Sequence, residues 1–260
     1  MKTLPTFFFW HGSPMNAIEK NSFTQTWRQI WIKLKNFKAI LVISAHYESY
    51  GVSITSRERQ EIMYDFWGFP QKLYDFTYPI FWSENFAQEI KKSFEKYNIS
   101  LDPNTKIDHG VWSISAHLFP KWVCVPVLQL SIDRNKSFQE HFDFAKDLSK
   151  LRDEWYLIFS SGNIVHNLWL LNWENENFAY PWAKQFDEKI VNIIWQNKVE
   201  ELLSLNKNDK NFQLCVPSLE HFIPLIYTFW LLKENEKISF FNQKIMYWSL
   251  SMTSLATLEL

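Results

Sequence analysis

From Lys38 to Ala45 the chain reads Lys-Ala-Ile-Leu-Val-Ile-Ser-Ala, an almost unbroken apolar and β-branched run. A strand with one face in water alternates apolar and polar positions, whereas one covered on both faces does not, so this run predicts a central, fully covered strand. Val123 to Ile132 repeats the pattern, and Trp155 to Ser160, Val52 to Thr55 and Thr6 to Trp10 are shorter strand candidates. The last is bounded by Pro5 and by His11-Gly12. Helical spacing of apolar positions covers Phe23 to Asn36, with Asn21-Ser22 as caps, then Ser83 to Tyr97, Gly110 to Phe119 and Ser137 to Arg152. Asp65 to Pro79 reads as an aromatic-rich loop. Further helices are predicted over Trp182 to Leu205 and Leu219 to Leu232, before a last strand from Lys237 to Ile245. Strand and helix alternate without a repeat or linker. The expectation is an α/β fold in one domain over residues 1–260, with a mainly parallel or mixed central sheet and helices on both faces.

Charge and cysteine content narrow the partners. With 27 basic and 28 acidic residues the formal net charge is −1, which gives no overall field for nucleic acid or an anionic membrane. A small, neutral-to-anionic molecule is the simpler partner. Cys124 and Cys215 stand in apolar surroundings and are expected to be buried reduced thiols, as in a cytoplasmic protein. After Met1-Lys2-Thr3-Leu4-Pro5 only a short apolar run follows, so neither secretion nor membrane anchoring is expected. Glycine is scarce, 5 residues in all, and Gly12, Gly68, Gly110 and Gly162 fall beside His11, Trp67, His109 and Asn163. Tight backbone turns at these points would gather polar groups.

Three of the 7 histidines occupy equivalent topological positions: His11 follows the first strand, His46 ends the second and His166 lies just beyond Trp155 to Ser160. Parallel strands would bring all three to the carboxyl edge of the sheet, where open α/β folds place their sites. His221 sits near the start of a predicted helix, with Glu220 beside it, and Glu48 follows His46. Several imidazoles with a carboxylate nearby suit Fe(II), Zn(II) or Mn(II) better than Ca(II) or Mg(II). His117 and His141 fall within amphipathic helices and are read as structural.

Phe9-Trp10-His11-Gly12-Ser13-Pro14-Met15-Asn16, Ile43-Ser44-Ala45-His46-Tyr47-Glu48 and Asp108-His109-Gly110-Val111-Trp112-Ser113 form a first set of motifs. Gln129-Leu130-Ser131-Ile132-Asp133, Ser161-Gly162-Asn163-Ile164-Val165-His166-Asn167 and Glu220-His221-Phe222-Ile223-Pro224-Leu225 follow in order. Together they resemble the successive motifs of the 4,5-DOPA extradiol dioxygenases, a branch of the class III (LigB-type) extradiol ring-cleaving dioxygenases. The resemblance implies a LigB-like fold and one divalent metal ion held by His11, His46 and His221. His166 would be a further ligand or an acid/base residue. It implies Fe(II) for activity, with Zn(II) able to occupy the same nitrogens, and a catechol and O2 as partners. His109 and His166 become the acid/base candidates, and Tyr64, Phe66 and Trp67 an aromatic wall for the substrate ring.

The chain departs from the pattern at Trp10, where a Gly is associated with the family, at Pro79-Ile80-Phe81-Trp82 and at Leu219. Beside a ligand, Trp10 would narrow the pocket. Two other readings use the same histidines: a zinc hydrolase, although no His-Glu-x-x-His helix is present, and a metal-binding scaffold without catalysis.

Overall fold

The run beginning at Lys38 forms the middle of the sheet. In the computed structural model, which describes residues 3–34, 36–81, 84–120, 125–205 and 209–259, β1 is Thr6–Phe9, α1 Ser22–Lys33 and β2 Ala39–Ser49. β3 Ser53–Thr55, α2 Gln71–Tyr74, α3 Glu84–Ser93, β4 Ser100–Asp102, α4 His109–Leu118, β5 Val127–Asp133, α5 Phe138–Leu148 and β6 Tyr156–Ser161 follow. The remainder comprises α6 Pro181–Trp195, α7 Val199–Leu203, α8 Lys210–Cys215, α9 Ile223–Trp230, β7 Ser239–Phe241, β8 Ile245–Met246, β9 Leu250–Ser251 and β10 Ser254–Ala256. Among the described residues an eight-stranded sheet has the order β4-β3-β5-β2-β6-β1-β10-β7. β5, β2, β6 and β1 are mutually parallel, while β10 and β7 add antiparallel strands at one side and β3 pairs antiparallel with β5.

β2 shows why its sequence lacks alternation. Leu41 and Ile43 pack on one face with Ala87 and Ile90 of α3, Phe144 and Leu148 of α5 and Tyr227 of α9. Ile40 and Val42 pack on the other with Trp27 and Ile30 of α1 and Val111 and Ile114 of α4. Phe7 and Phe9 of β1 join that second layer, while Phe8 turns to Phe186, Ile190 and Phe212 of α6 and α8. Layers on both sides leave the strand ends as the place for a site.

Helix ends follow their capping residues. The Asn21 side chain accepts the Thr24 N–H while Thr24 Oγ1 accepts the Asn21 N–H, and Ser137 and Glu140 make the same reciprocal box on α5. The helix expected over Trp182 to Leu205 is instead two, because Asn197 adopts φ 53° between them. The helix expected from Leu219 starts at Ile223 with Pro224 in its first turn, leaving His221 in the preceding turn. The last expected strand is also shorter: Asn242, at φ 54°, ends β7, and Ile245 belongs to β8. β4 was too short to stand out by pattern. Lys35, Trp82, Ser83, Val123 and Cys124, named in the sequence expectations or lying within them, fall outside the described residues.

Candidate active site

The parallel strands do bring the histidines to one edge, but β2 reaches it by breaking its ladder. Ile43 pairs with Leu130 and Glu48 with Ile132, so the four residues Ser44 to Tyr47 oppose only Ser131. Surplus chain in a ladder has to leave the pleat. Here it carries His46, whose Nε2 lies 3.0 Å from Nε2 of His11. Ser44 Oγ fixes the bulge by accepting the His46 N–H at 3.3 Å and donating to the buried carboxylate of Asp108 at 2.9 Å. Burial first, then the nearby charge of Asp65, push the Asp108 carboxyl up to about 6.

His11 stands two residues beyond β1, where Phe9 pairs with Ser161 at the end of β6. Its Nδ1 meets Ser161 Oγ at 2.8 Å, and that hydroxyl donates to the carbonyl of Gly110 at 2.7 Å. The hydroxyl has one proton and has used it, so His11 Nδ1–H is the donor and its Nε2 carries the lone pair. His221 is set the same way, its Nδ1–H donating to Glu220 Oε1 at 2.9 Å. The turn bearing it lies hard against β6: a Cβ on Gly162 would come 2.3 Å from the His221 carbonyl oxygen, and the next N–H, of Asn163, donates to that oxygen at 2.7 Å. Gly162 is thus required for close approach, whereas Gly12 has the left-handed φ of 64° that a turn residue needs.

His109 opens α4. Its backbone N–H donates to Asp65 Oδ1 at 3.1 Å and its Nδ1 to Asp65 Oδ2 at 2.9 Å. The same Oδ2 lies 3.7 Å from Nδ1 of His46, favouring a proton on that side of the ring. His166 stacks on His221, with ring centroids 3.6 Å apart and planes 10° from parallel. Ring centroids of His11 and His46 stand 4.9 Å apart, His46 and His109 4.1 Å, and His46 and His221 5.1 Å. Potential ligand atoms of His11, His46 and His109 lie within 4.8 Å of one another, as do those of His166, Glu220 and His221.

Burial holds the His11 and His221 imidazoles far below their ordinary range, helped by neighbouring histidines. It takes His46 down to about 3, with His109 adding to the effect, and His166 to about 4. Neutral rings with bare nitrogens are what a borderline divalent cation accepts as ligands. A neutral His46 in its Nε2–H form donates to His11 Nε2 at 3.0 Å; with its proton on Nδ1, beside Asp65, both Nε2 atoms are bare and a cation is what would hold them together, since burial opposes an added proton. The donor set therefore fits a metal ion.

Other expected residues are placed unequally. Phe66 stands 5.7 Å, ring to ring, from His109. Tyr64 instead donates its hydroxyl to the Phe76 carbonyl and lines a cavity of about 730 Å³ that contains none of the five clustered histidines. Trp67 is 88% exposed. Trp10 does not narrow the site: its ring packs on Phe23 in a cluster with Met246, Leu250 and Met252. Glu48 is engaged by Arg134 at 2.7 Å, and Glu220 Oε1 by Ser218 as well as His221. These groups, with His46 and His221, line an open cleft of about 540 Å³. His117 and His141 are bound elsewhere, to Arg28 and the Asn16 carbonyl, and to Tyr227. Asp65 and Ser161 drew no assignment from the sequence, since nothing local marks an aspartate in a loop or a serine at a strand end as a histidine's partner.

Residues 5–256 match the family described as the catalytic LigB subunit of aromatic ring-opening dioxygenase. A 4,5-DOPA dioxygenase extradiol of Escherichia coli (strain K12) is 36% identical, covering 97% of this chain and 94% of that protein. Its namesake from Beta vulgaris is 33% identical, covering 89% of this chain and 88% of its own. The crystal structure of an uncharacterized protein from Escherichia coli K12 superposes with a TM-score of 0.82 at 32% identity, over 97% of this chain and 99% of that one. Among the described residues no helix is long and apolar enough to cross a membrane. With the histidine cluster at the carboxyl edge of the sheet, these likenesses place the chain in the LigB family of catalytic subunits of aromatic ring-opening dioxygenases, as an extradiol ring-cleaving dioxygenase.

Proposed function

We propose that the chain opens the ring of a DOPA-like catechol with O2, next to the two hydroxyls, using one divalent metal ion held by His11, His46 and His221. The observation that carries this reading is the pair of facing Nε2 atoms of His11 and His46, 3.0 Å apart, in an environment that keeps both rings neutral. Bound Fe(II) would supply coordination positions for catechol and dioxygen and the redox capacity that relieves the spin restriction on their combination. Zn(II) would occupy the same nitrogens and be redox-inert.

The protein's own groups supply orientation and proton transfer. The Phe66 ring, 5.7 Å from His109, offers an apolar face to the catechol, and the cleft beside His46 and His221 admits it. His166, whose ring is kept neutral by burial, takes a proton from a catechol hydroxyl. His109 serves as the second acid/base group, returning a proton as the ring opens. Glu220 holds Nδ1–H of His221 and so keeps its other nitrogen bare. A buried free thiol at Cys215, pushed up to about 12 by burial, suits a cytoplasmic location.

Anaerobic loading with Fe(II), followed by L-DOPA and related catechols, tests the reading through oxygen uptake and the visible spectrum. Stoichiometric oxygen consumption with a coloured ring-opened product is expected, and neither His46→Ala nor the Zn(II)-loaded protein should give it. Tight metal binding with no uptake across the catechol panel would sink the proposal, and oxygen-independent turnover would point to a hydrolase.

A further inference from the structure

Asp65 belongs to the aromatic loop in sequence but to the histidine cluster in space. Its carboxylate makes a two-point contact with His109, Oδ1 on the backbone N–H at 3.1 Å and Oδ2 on Nδ1–H at 2.9 Å. Oδ2 also faces Nδ1 of His46 at 3.7 Å. The loop is held there by α4 itself. The rings of Tyr64 and Phe66 lie 6.1 and 6.0 Å from that of Trp112, whose Nε1–H donates to the Met63 carbonyl at 2.9 Å. Trp112 stands one turn beyond His109, so residues on both sides of Asp65 dock on the helix that His109 begins.

Two consequences follow from the chemistry of a carboxylate. It gives a partner to a helix N-terminal N–H that Asp108 does not cap, Asp108 being engaged with Ser44 and Gln129. It also accepts and never donates, so a neutral His109 must carry its proton on Nδ1 and present a bare Nε2. We propose that Asp65 is a positioning residue that fixes His109 in the Nδ1–H form and holds the Nδ1 side of His46, so that docking of the aromatic loop completes the site. The kinetic part rests on the dioxygenase reading above; the tautomer part does not.

Asp65→Asn is nearly isosteric but offers one acceptor in place of two. Its oxygen retains the His109 backbone N–H, and its NH2 then faces Nδ1 and forces the ring to the Nε2–H form. Two-bond 15N–1H correlation spectra of histidine-labelled, Zn(II)-loaded protein read this directly, with His109→Gln assigning the signal. The wild type and Asp65→Glu should show Nδ1–H, and Asp65→Asn Nε2–H. In the Fe(II)-loaded enzyme Asp65→Asn should lower kcat by about 10–100-fold while KM for the catechol moves less than about threefold. An unchanged tautomer in Asp65→Asn, or an unchanged kcat beside an active wild type, overturns the proposal. If Asp65→Asn does not fold, an Nε2–H signal from His109 in the wild type or in Asp65→Glu overturns it as well. A wild type inactive on every catechol, with the tautomer switching as stated, would overturn the dioxygenase reading and leave the positioning role standing.

Discussion

A serine hydroxyl at a strand end decides which nitrogen of His11 is available. Ser161 gives its proton to the Gly110 carbonyl and receives that of His11 Nδ1, so one side chain joins β1, β6 and α4 beneath the site. Ser161→Ala leaves a buried N–H and a buried carbonyl without these partners, a cost of about 1–3 kcal/mol, and frees the His11 ring to rotate. Zn(II) affinity, measured by competition with a chelating dye, is expected to fall by about 10–100-fold. An unchanged affinity would mean that packing alone holds His11. At this scale the sequence was legible where residue type singles out candidates, as at His11, His46, His109, His166 and His221, which the fold gathers. It was silent at Ser161 and Asp65, whose meaning lies in partners 150 and 44 residues away along the chain. Tyr64 shows the converse: its residue type fitted an aromatic wall, but a local bond to Phe76 turns its hydroxyl to another cavity.

Among the elements, β2 and β5 were readable because unbroken apolar runs have few other uses, and α1 because its cap is a side-chain device written in the sequence. The bulge in β2 was not. Ser44 to Tyr47 continues a strand-like pattern, and only the register against β5 reveals that four residues face one. The junction of β6 with the turn before α9 is half readable, since the sequence puts Gly162 beside Asn163 but carries no sign of why a glycine stands there. That reason is the 2.3 Å approach of the His221 carbonyl oxygen to where a Cβ would stand. Gly162→Ala must therefore push the His221 turn away from β6, and the overpacking should cost about 1–3 kcal/mol. A lower Tm of the metal-free protein, together with weaker metal binding, is the expected result. An unaltered Tm would show that the turn yields without cost.

Taken as a whole, the molecule sets a neutral polar interior against acid. The parallel block was predictable from alternation of strands and helices, but the antiparallel places of β10 and β7 beside β1 were not, because a short strand carries no record of which edge it joins. The same burial that closes this sheet on both faces also encloses histidines far from the site. His141 of α5 is fully buried; its Nδ1 meets the Tyr227 hydroxyl of α9 at 3.0 Å, and its Nε2 has no partner among the described residues. Burial pushes this imidazole from 6.5 down to about 4. Between those values the unfolded chain binds a proton that the folded protein refuses, so stability contributed above pH 6.5 is lost as the pH falls towards 4. The loss attributable to His141 is about 2–3 kcal/mol between pH 7 and pH 4.5. His141→Asn keeps a polar atom near Tyr227 and cannot titrate there. Urea unfolding of the metal-free proteins at the two pH values should therefore show the variant less stable at pH 7, through its smaller side chain, yet losing about 2–3 kcal/mol less on acidification. Equal acid sensitivity in both proteins would show that His141 takes up its proton in the folded state and that the acid response arises elsewhere.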